Sequence, residues 1–463
     1  MSISSLLFTA RDALMSQQMA IDITGGNIAN VNTPGYSRQR AEMKALGGVD
    51  VRAGVSQVGV TISQVDRIYD NYLDSQVIEQ QQNMGYSDSM LQGLQNIQVL
   101  LDDTKGGGIN DQLNQFWAAL GNLSDTPSGK VERSALLSAA QNLTGSLASY
   151  RQNLDTINTD MNRNIADIVS QINGKVDEIK DLNARILSTA SDTGDANVLL
   201  DKRTQALKEL GTMVNINHFE NPDDTVNIYL TNGAPLLQGV LSQTLSVSVN
   251  SSNQSDVYSS SLSVSGGSIN DALTKGKLGA FIELQGTVVP KYVNDIDDFA
   301  KSLAARVNQV HSSGFDAYNN TGTDFFQIPD MNNAAGTIRV NPVITADVNR
   351  IAAATSVTGD GENASKLAAV QDELLMNSST STLNSFLATV VGQIGNQVAN
   401  AQTDNDHQTI ITNHLDTQRE SVSGVSIDEE MIRLIKYQMG YNAAGKLASV
   451  VNELLDTLMG LVK

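Results

Sequence analysis

The chain contains no cysteine. Disulfides and thiolate metal sites are therefore excluded, and a chain without thiols suits passage through an export channel in an unfolded state. Aromatic residues make up only 5%, with one tryptophan, Trp117. Long, thin helical packing with modest β modules fits that scarcity better than one large aromatic core. Basic residues are outnumbered, 30 against 50 acidic, for a net charge of −20. Nucleic acid is thereby disfavoured as a partner, because phosphate binding needs a basic footprint. No run is apolar enough to span a membrane, so no membrane insertion is expected. Residues 1–24 lack the basic start and unbroken apolar stretch of a secretory signal. A route out of the cell would have to read no cleaved signal.

Sustained seven-residue spacing stands at both ends. The front carries Leu7, Leu14, Ile21 and Ile28. The back carries Ile427, Leu434, Tyr441, Ala448, Leu455 and Val462. The intermediate positions are poor at the front (Ala10, Gln17, Thr24, Val31) and better at the back (Tyr437, Ala444, Val451, Leu458). Such a repeat gives each helix a narrow apolar seam that must be buried against another helix. The ends are also nearly neutral. Residues 1–45 hold four basic and three acidic side chains, and residues 424–463 hold four and five, so the body carries the −20. The expectation is that the termini pair with each other and with other copies, and that both stay largely disordered in the free chain because helices this short are marginal without partners.

Between the ends, 463 residues allow roughly two to four domains. A helix over 3–28 must stop before Thr33, since Pro34 pushes its predecessor out of the helical region and Pro34-Gly35 suits a type II turn. Val58, Val60 and Ile62 alternate as a short strand or hairpin. Helices are expected over 68–101 and 109–123, separated by Gly106-Gly107-Gly108. Another is expected from Val131 to about Leu187, on the order of 80 Å long. From residue 212 the pattern turns to β, through Val226–Leu230, the Asn232-Gly233 turn signal, and the alternation of Leu245, Val247, Val249, Leu262 and Val264. Helices return over 278–311 and 365–418, and Ser423-Gly424 precedes the last one. The fold class expected is mainly α with a β insertion (α+β, multidomain). It comprises a terminal coiled coil (1–64 plus 421–463), an elongated helical domain (65–211 plus 269–420) and a small outer β domain (212–268) at the far tip.

Catalytic, cofactor and metal constellations are lacking. His407 and His414 lie two helical turns apart, too far to share a metal. Asp295, Asp297 and Asp298 read as an exposed acidic face. Asp428-Glu429-Glu430 reads as the acidic first turn of a helix, with Ser426 as cap. Trp117 beside Phe116 reads as helical core. Arg38 and Arg40 read equally as grips on a neighbouring copy or as ordinary surface charge.

The segment Asn27-Ile28-Ala29-Asn30-Val31-Asn32-Thr33-Pro34-Gly35-Tyr36-Ser37-Arg38-Gln39 resembles the N-terminal signature of flagellar axial proteins, and its ending resembles the hook-associated protein 1 (FlgK) family. Residues 113–143, Leu199-Leu200-Asp201-Lys202-Arg203, Thr225–Gly239, Gly276 through Phe325-Phe326 with His311 and Gly314, and Ser423–Leu458 are similar to that family in order. Gly440, Gly445 and Asn452 depart from its pattern, and the chain is short for it. The resemblance implies a structural, non-enzymatic subunit at the junction of hook and filament, without cofactor. It implies assembly through Leu7, Leu14, Ile21, Ile28, Asn30, Pro34, Gly35, Tyr36 and Arg38 at the front. At the back it implies Ile427, Leu434, Tyr437, Tyr441, Val451, Leu455 and Leu458. The implied partners are further copies, the hook protein, a second junction protein on the filament side, an export chaperone and the type III export apparatus. The implied location is extracellular, on the bacterial flagellum. The alternatives are another axial subunit (hook, distal rod or filament), a secreted adhesin using the β domain, and an enzyme carried on it.

Overall fold

The computed structural model describes residues 3–50, 55–101, 108–189, 194–260, 267–356 and 359–461. Of the expectations above, Gly106, Gly107, Leu262, Val264 and Val462 lie outside those residues. The first helix, α1 (Ile3–Ala29), ends where the proline demands. The Thr33 carbonyl accepts from Tyr36 N–H across Pro34-Gly35, and Gly35 has φ +80, the left-handed geometry that the third position of a type II turn requires. The chain then runs into an antiparallel ribbon, β1 (Gln39–Asp50) with β2 (Val55–Arg67), longer than the hairpin expected around Val60. The ribbon lies along α1, where Ser16 Oγ donates to Val60 O at 2.9 Å.

Next come α2 (Asn71–Leu101), α3 (Ile109–Asp125), α4 (Lys130–Ser188) and α5 (Gly194–Met213). Asp70 caps α2 by accepting from the amides of Tyr72 and Leu73. With 59 residues, α4 is roughly 90 Å long, in line with the proline-free stretch. It runs through two cores. Its first half, Leu136 to Met161, packs with α3 and with α6 (Gly276–Glu283), α7 (Val289–Ser312) and α11 (Leu383–Ser423) around Phe116, Phe299, Phe325 and Phe326. Trp117 sits in this core, 5.0 Å from the Phe116 ring, and donates to Asn384 Oδ1. The second half, Ile165 to Ile186, packs with α5 and the β insert.

The insert comprises a four-stranded sheet, β3 (Ile216–Glu220), β4 (Val226–Leu230), β5 (Pro235–Gln238) and β6 (Leu241–Ser242), and a hairpin, β7 (Leu245–Val249) with β8 (Ser255–Ser259). Its expected place at the far tip is not the observed one. Val226, Ile228 and Leu230 face α4, and a row of asparagines on α4 holds the strands. Asn162 donates to Asn253 O, Asn173 brackets Leu245 through both backbone groups, and Asn183 does the same for Val226. The insert has no interior of its own; its apolar face is half of the second core. A π-helical turn over Leu284–Val288 between α6 and α7 aims the buried Gln285 at the insert, where its carbonyl accepts from Ser255 N at 2.7 Å.

The far end is instead a loop-rich cap containing β9 (Phe326–Gln327), α8 (Ala334–Thr337), β10 (Arg339–Val340), α9 (Pro342–Ala346) and α10 (Glu362–Ala369). Buried Arg133 on α4 stitches it down, donating to the carbonyls of Pro127 and Ile351. The helix expected over 365–418 is broken here. Asn377, Ser378 and Ser379 take positive φ, and α11 restarts at Leu383 behind a Thr382 cap. The exposed acidic face expected on α7 is also corrected. Asp297 is buried, accepts from Ala335 N at 2.8 Å and faces Arg151, while Asp298 remains exposed.

His311, fully buried at the end of α7, pins the cap to the helices. Its Nδ1–H donates to Thr323 O and its Nε2 accepts from Ala352 N–H at 2.9 Å, so the ring is neutral with one tautomer. Burial lowers its pKa from 6.5 to about 4. A folded-state value below the unfolded one means that this contribution is complete above pH 6.5 and is lost as pH falls toward 4. Urea titrations should show up to about 3 kcal/mol of pH-dependent stability over that interval. His311→Asn should be less stable at neutral pH and should lack that slope.

Candidate assembly interface

The last helix, α12 (Ile427–Leu461), packs antiparallel to α1 within the same chain. Two contacts fix the direction: Asn27 lies against Glu430, and Gln17 against Gly440. The expectation that the ends stay unfolded in the single chain is thus corrected: both are helices, and they pair. The seam uses the less apolar register at the front. Ala10, Ala20 and Thr24 are buried, whereas Leu14, Ile21 and Ile28 are half-buried along the rim and Leu7 is exposed. On α12 the inward residues are Glu430, Ala444 and Val451, with Leu434 and Tyr437 half-buried. Gln17 and Gly440, two irregularities of the sequence pattern, answer each other. A Cβ at residue 440 would stand 2.8 Å from Gln17 Cδ, so the glycine makes room for the glutamine. Nothing comparable surrounds Gly445.

The signature after α1 is a joint. The Asn27 amide has all four of its bonds, donating to Gln39 O and Glu430 Oε2 and accepting from Tyr36 O–H and Gln39 N–H. Glu430 stands in the acidic first turn of α12 as expected, and this contact buries it. Burial raises the Tyr36 pKa to about 12. Arg38 pairs with Glu429 at 2.8 Å inside the chain, while Arg40 remains exposed. Asn30 donates back to Gly26 O, and Pro34 is exposed. The carboxylate of Asp201 on α5 accepts from Ser37 N at 2.9 Å and faces Arg67. Two residues on, Arg203 is fully buried and holds Glu220 of β3 at 2.6 Å. The Leu199–Arg203 segment therefore ties the terminal domain with its aspartate and the β insert with its arginine.

Below this lies a buried charge triad. Asp74 on α2 accepts at 3.0 Å from both Lys208 on α5 and Arg419 on α11, and Arg419 also reaches Gly35 O. Burial lowers the Lys208 pKa, with Asp74 opposing it. Neither Asn27 nor Asp74 was singled out from the sequence. Asn27 sits inside the signature and was legible as part of it. Asp74 offers no local signal, since its partners lie 134 and 345 residues away.

What the helix pair leaves open is as informative. Ile432, Ile435, Met439, Leu447, Val450, Leu454 and Leu458 of α12 are exposed. At 3.6 residues per turn Ile432, Ile435 and Met439 lie on the side of α12 away from the α1-facing seam, Val450 lies a quarter-turn from it, and Leu447, Leu454 and Leu458 flank it. Ile427, Tyr441 and Leu455 are exposed on the other flank of that seam. On α1, Leu7, Phe8, Met15 and Met19 are likewise open. His407 and His414 stand exposed on α11. Among the described residues, no group of three His, Asp or Glu side chains is placed to hold a metal ion, and no helix is long and apolar enough to cross a membrane.

Comparison with known proteins agrees with this layout. Residues 94–326, half of the chain, match the helical domain of flagellar hook-associated protein FlgK. Residues 7–36 match the flagella basal body rod protein family, and residues 417–461 match the C-terminal region of the FlgEFG basal body rod proteins. Flagellar hook-associated protein 1 of Bacillus subtilis is 28% identical over 492 residues, covering 98% of this chain and 97% of that one. The protein of the same name from Salmonella typhimurium is 25% identical over 555 residues, covering 99% and 100%. The flagellar hook junction protein FlgK from Burkholderia pseudomallei has the same fold. Its TM-score is 0.67 at 14% identity, over 75% of this chain and 100% of that one. The chain belongs to the FlgK family of flagellar hook-associated proteins and is a structural component of the bacterial flagellum.

Proposed function

We propose that the chain forms the junction between hook and filament, and that copies join through the open faces of α1 and α12. The observation that carries this is the apolar surface of α12 that α1 leaves uncovered. A helix whose apolar surface extends well beyond the face one partner covers needs a second partner. α1 covers one face, and a neighbouring copy covers the rest. Leu7, Ile427, Tyr441, Leu455 and Leu458 belong to this contact. Leu434, Tyr437, Val451, Gly35, Tyr36 and Arg38 shape the subunit that makes it, with Leu14, Ile21 and Ile28 at the margin.

In this reading residues 1–64 and 421–463 form the assembly domain, residues 65–211 and 269–420 the elongated helical domain, and 212–268 a β module splinted to α4. The partners are further copies, the hook protein on one side and a second junction protein on the other. The chain leaves the cell through the flagellar type III apparatus without a cleaved signal. An export chaperone covers the open apolar surface of α12 until then, since a bare apolar surface invites premature association. The role is structural, not catalytic. Immunogold electron microscopy of purified flagella tests the reading: label is expected in one narrow band between hook and filament. Label spread along the filament, or none, would reject it. Deletion of the β module is a poor test of the adhesin alternative, because it would strip the second core.

A further inference from the structure

We propose that the methionines on the open faces of the terminal helices are an oxidation site that controls assembly; this rests on the assembly reading above. Six methionines are widely exposed among the described residues, and five of them lie on α1 and α12: Met15, Met19, Met431, Met439 and Met459. Met439 is part of the open apolar surface of α12 itself, and Met15 and Met19 share one face of α1. The sixth, Met331, is in the distal cap. Met43, Met84, Met90, Met161, Met213 and Met376 are half-buried or buried. No cysteine competes for oxidant.

The chemistry is oxygen transfer from a peroxide or hypohalous acid. With hydrogen peroxide, a sulfur lone pair attacks one oxygen, the O–O bond breaks and an S–O bond forms. The sulfide is oxidised by two electrons to the sulfoxide, and the peroxide is reduced to water. The product is a polar group with a strong acceptor oxygen where the contact needs an adaptable apolar one. A sulfoxide inside a copy-to-copy contact would have to find a donor there or lose its hydration. Oxidised subunits are therefore barred from joining, whereas joined subunits shield the same sulfurs.

The test treats the purified full chain with hydrogen peroxide, maps each methionine by peptide mass, and measures co-sedimentation with isolated flagellar hooks. The five helix methionines and Met331 are expected to oxidise in the free chain, with at least a tenfold loss of hook binding and no loss of helical circular dichroism. Methionine sulfoxide reductases should restore binding. A variant with the five helix methionines replaced by leucine should show no further loss of binding on peroxide treatment relative to its own untreated state, whereas Met331→Leu should give no protection. On hook-bound subunits Met331 should remain reactive while the five helix methionines are shielded. Normal binding by the oxidised chain, or equal loss in the five-leucine variant, would overturn the proposal. Failure of the unoxidised chain to bind hooks would instead reject the assembly reading itself.

Discussion

Asp74→Ala should cost about 3–5 kcal/mol of stability, the usual result of removing one partner from a buried ion pair. The carboxylate is 4% exposed and is shared by Lys208 and Arg419, themselves 10% and 14% exposed. Without it two cations face each other in a site that water reaches poorly. Their mutual repulsion adds to their desolvation. The damage should be local first, because α2, α5, α11 and the Gly35 turn meet there. Amide exchange should rise in residues 30–38 and at the end of α11 before the distal core opens. Replacing all three members by apolar residues of similar size should recover most of the loss, since buried ion pairs specify geometry more than they stabilise. Unfolding free energies of Asp74→Ala and the parent, from urea titration, within about 0.5 kcal/mol of each other would show that the triad is not what holds the joint.

Val450 and Val451 should behave as opposites. They are adjacent in sequence and about 100° apart around α12, 51% and 1% exposed. Val451→Asp puts a charge into the α1 seam, where an uncompensated carboxylate costs several kcal/mol. The helix pair should melt, with loss of helical signal and early proteolysis of both ends. Val450→Asp leaves that seam untouched, so stability should move by less than about 0.5 kcal/mol. It nevertheless places a charge in the contact between copies. Motility should fall to the level of a strain lacking the subunit, with the folded chain shed into the medium. Wild-type motility in Val450→Asp would remove α12's open apolar face from the assembly surface.

These two predictions also mark where reading the residues succeeds and where it runs out. Helix α4 was visible from the absence of proline and the spacing of its isoleucines. The turn at Pro34-Gly35 followed from backbone chemistry alone. Seven-residue spacing located α12 and the row that meets α1 (Tyr437, Ala444, Val451), but it is silent on the further apolar surface left open, and on α1 the side that meets α12 is the less apolar one. Asp297 looked like surface charge, Glu430 like an ordinary first-turn acid, and Asp74 gave no local signal, because their partners are distant in sequence. The broken helix at Asn377–Ser379 escaped because positive φ there is taken by asparagine and serine without glycine or proline. The seat of the β insert was written more faintly, as Asn162, Asn173 and Asn183 at intervals that return to one side of α4.

Pairing of the first helix with the last has a consequence for timing. Asn27 finds Glu430 across 403 residues, so α1 emerges from the ribosome with its mate still unmade. Closure of so large a loop comes late in folding. Until the final forty or so residues arrive, α1 has only the neighbouring β1–β2 ribbon to pack on. The feature that completes the subunit is thus also the one that keeps it unfinished until the end.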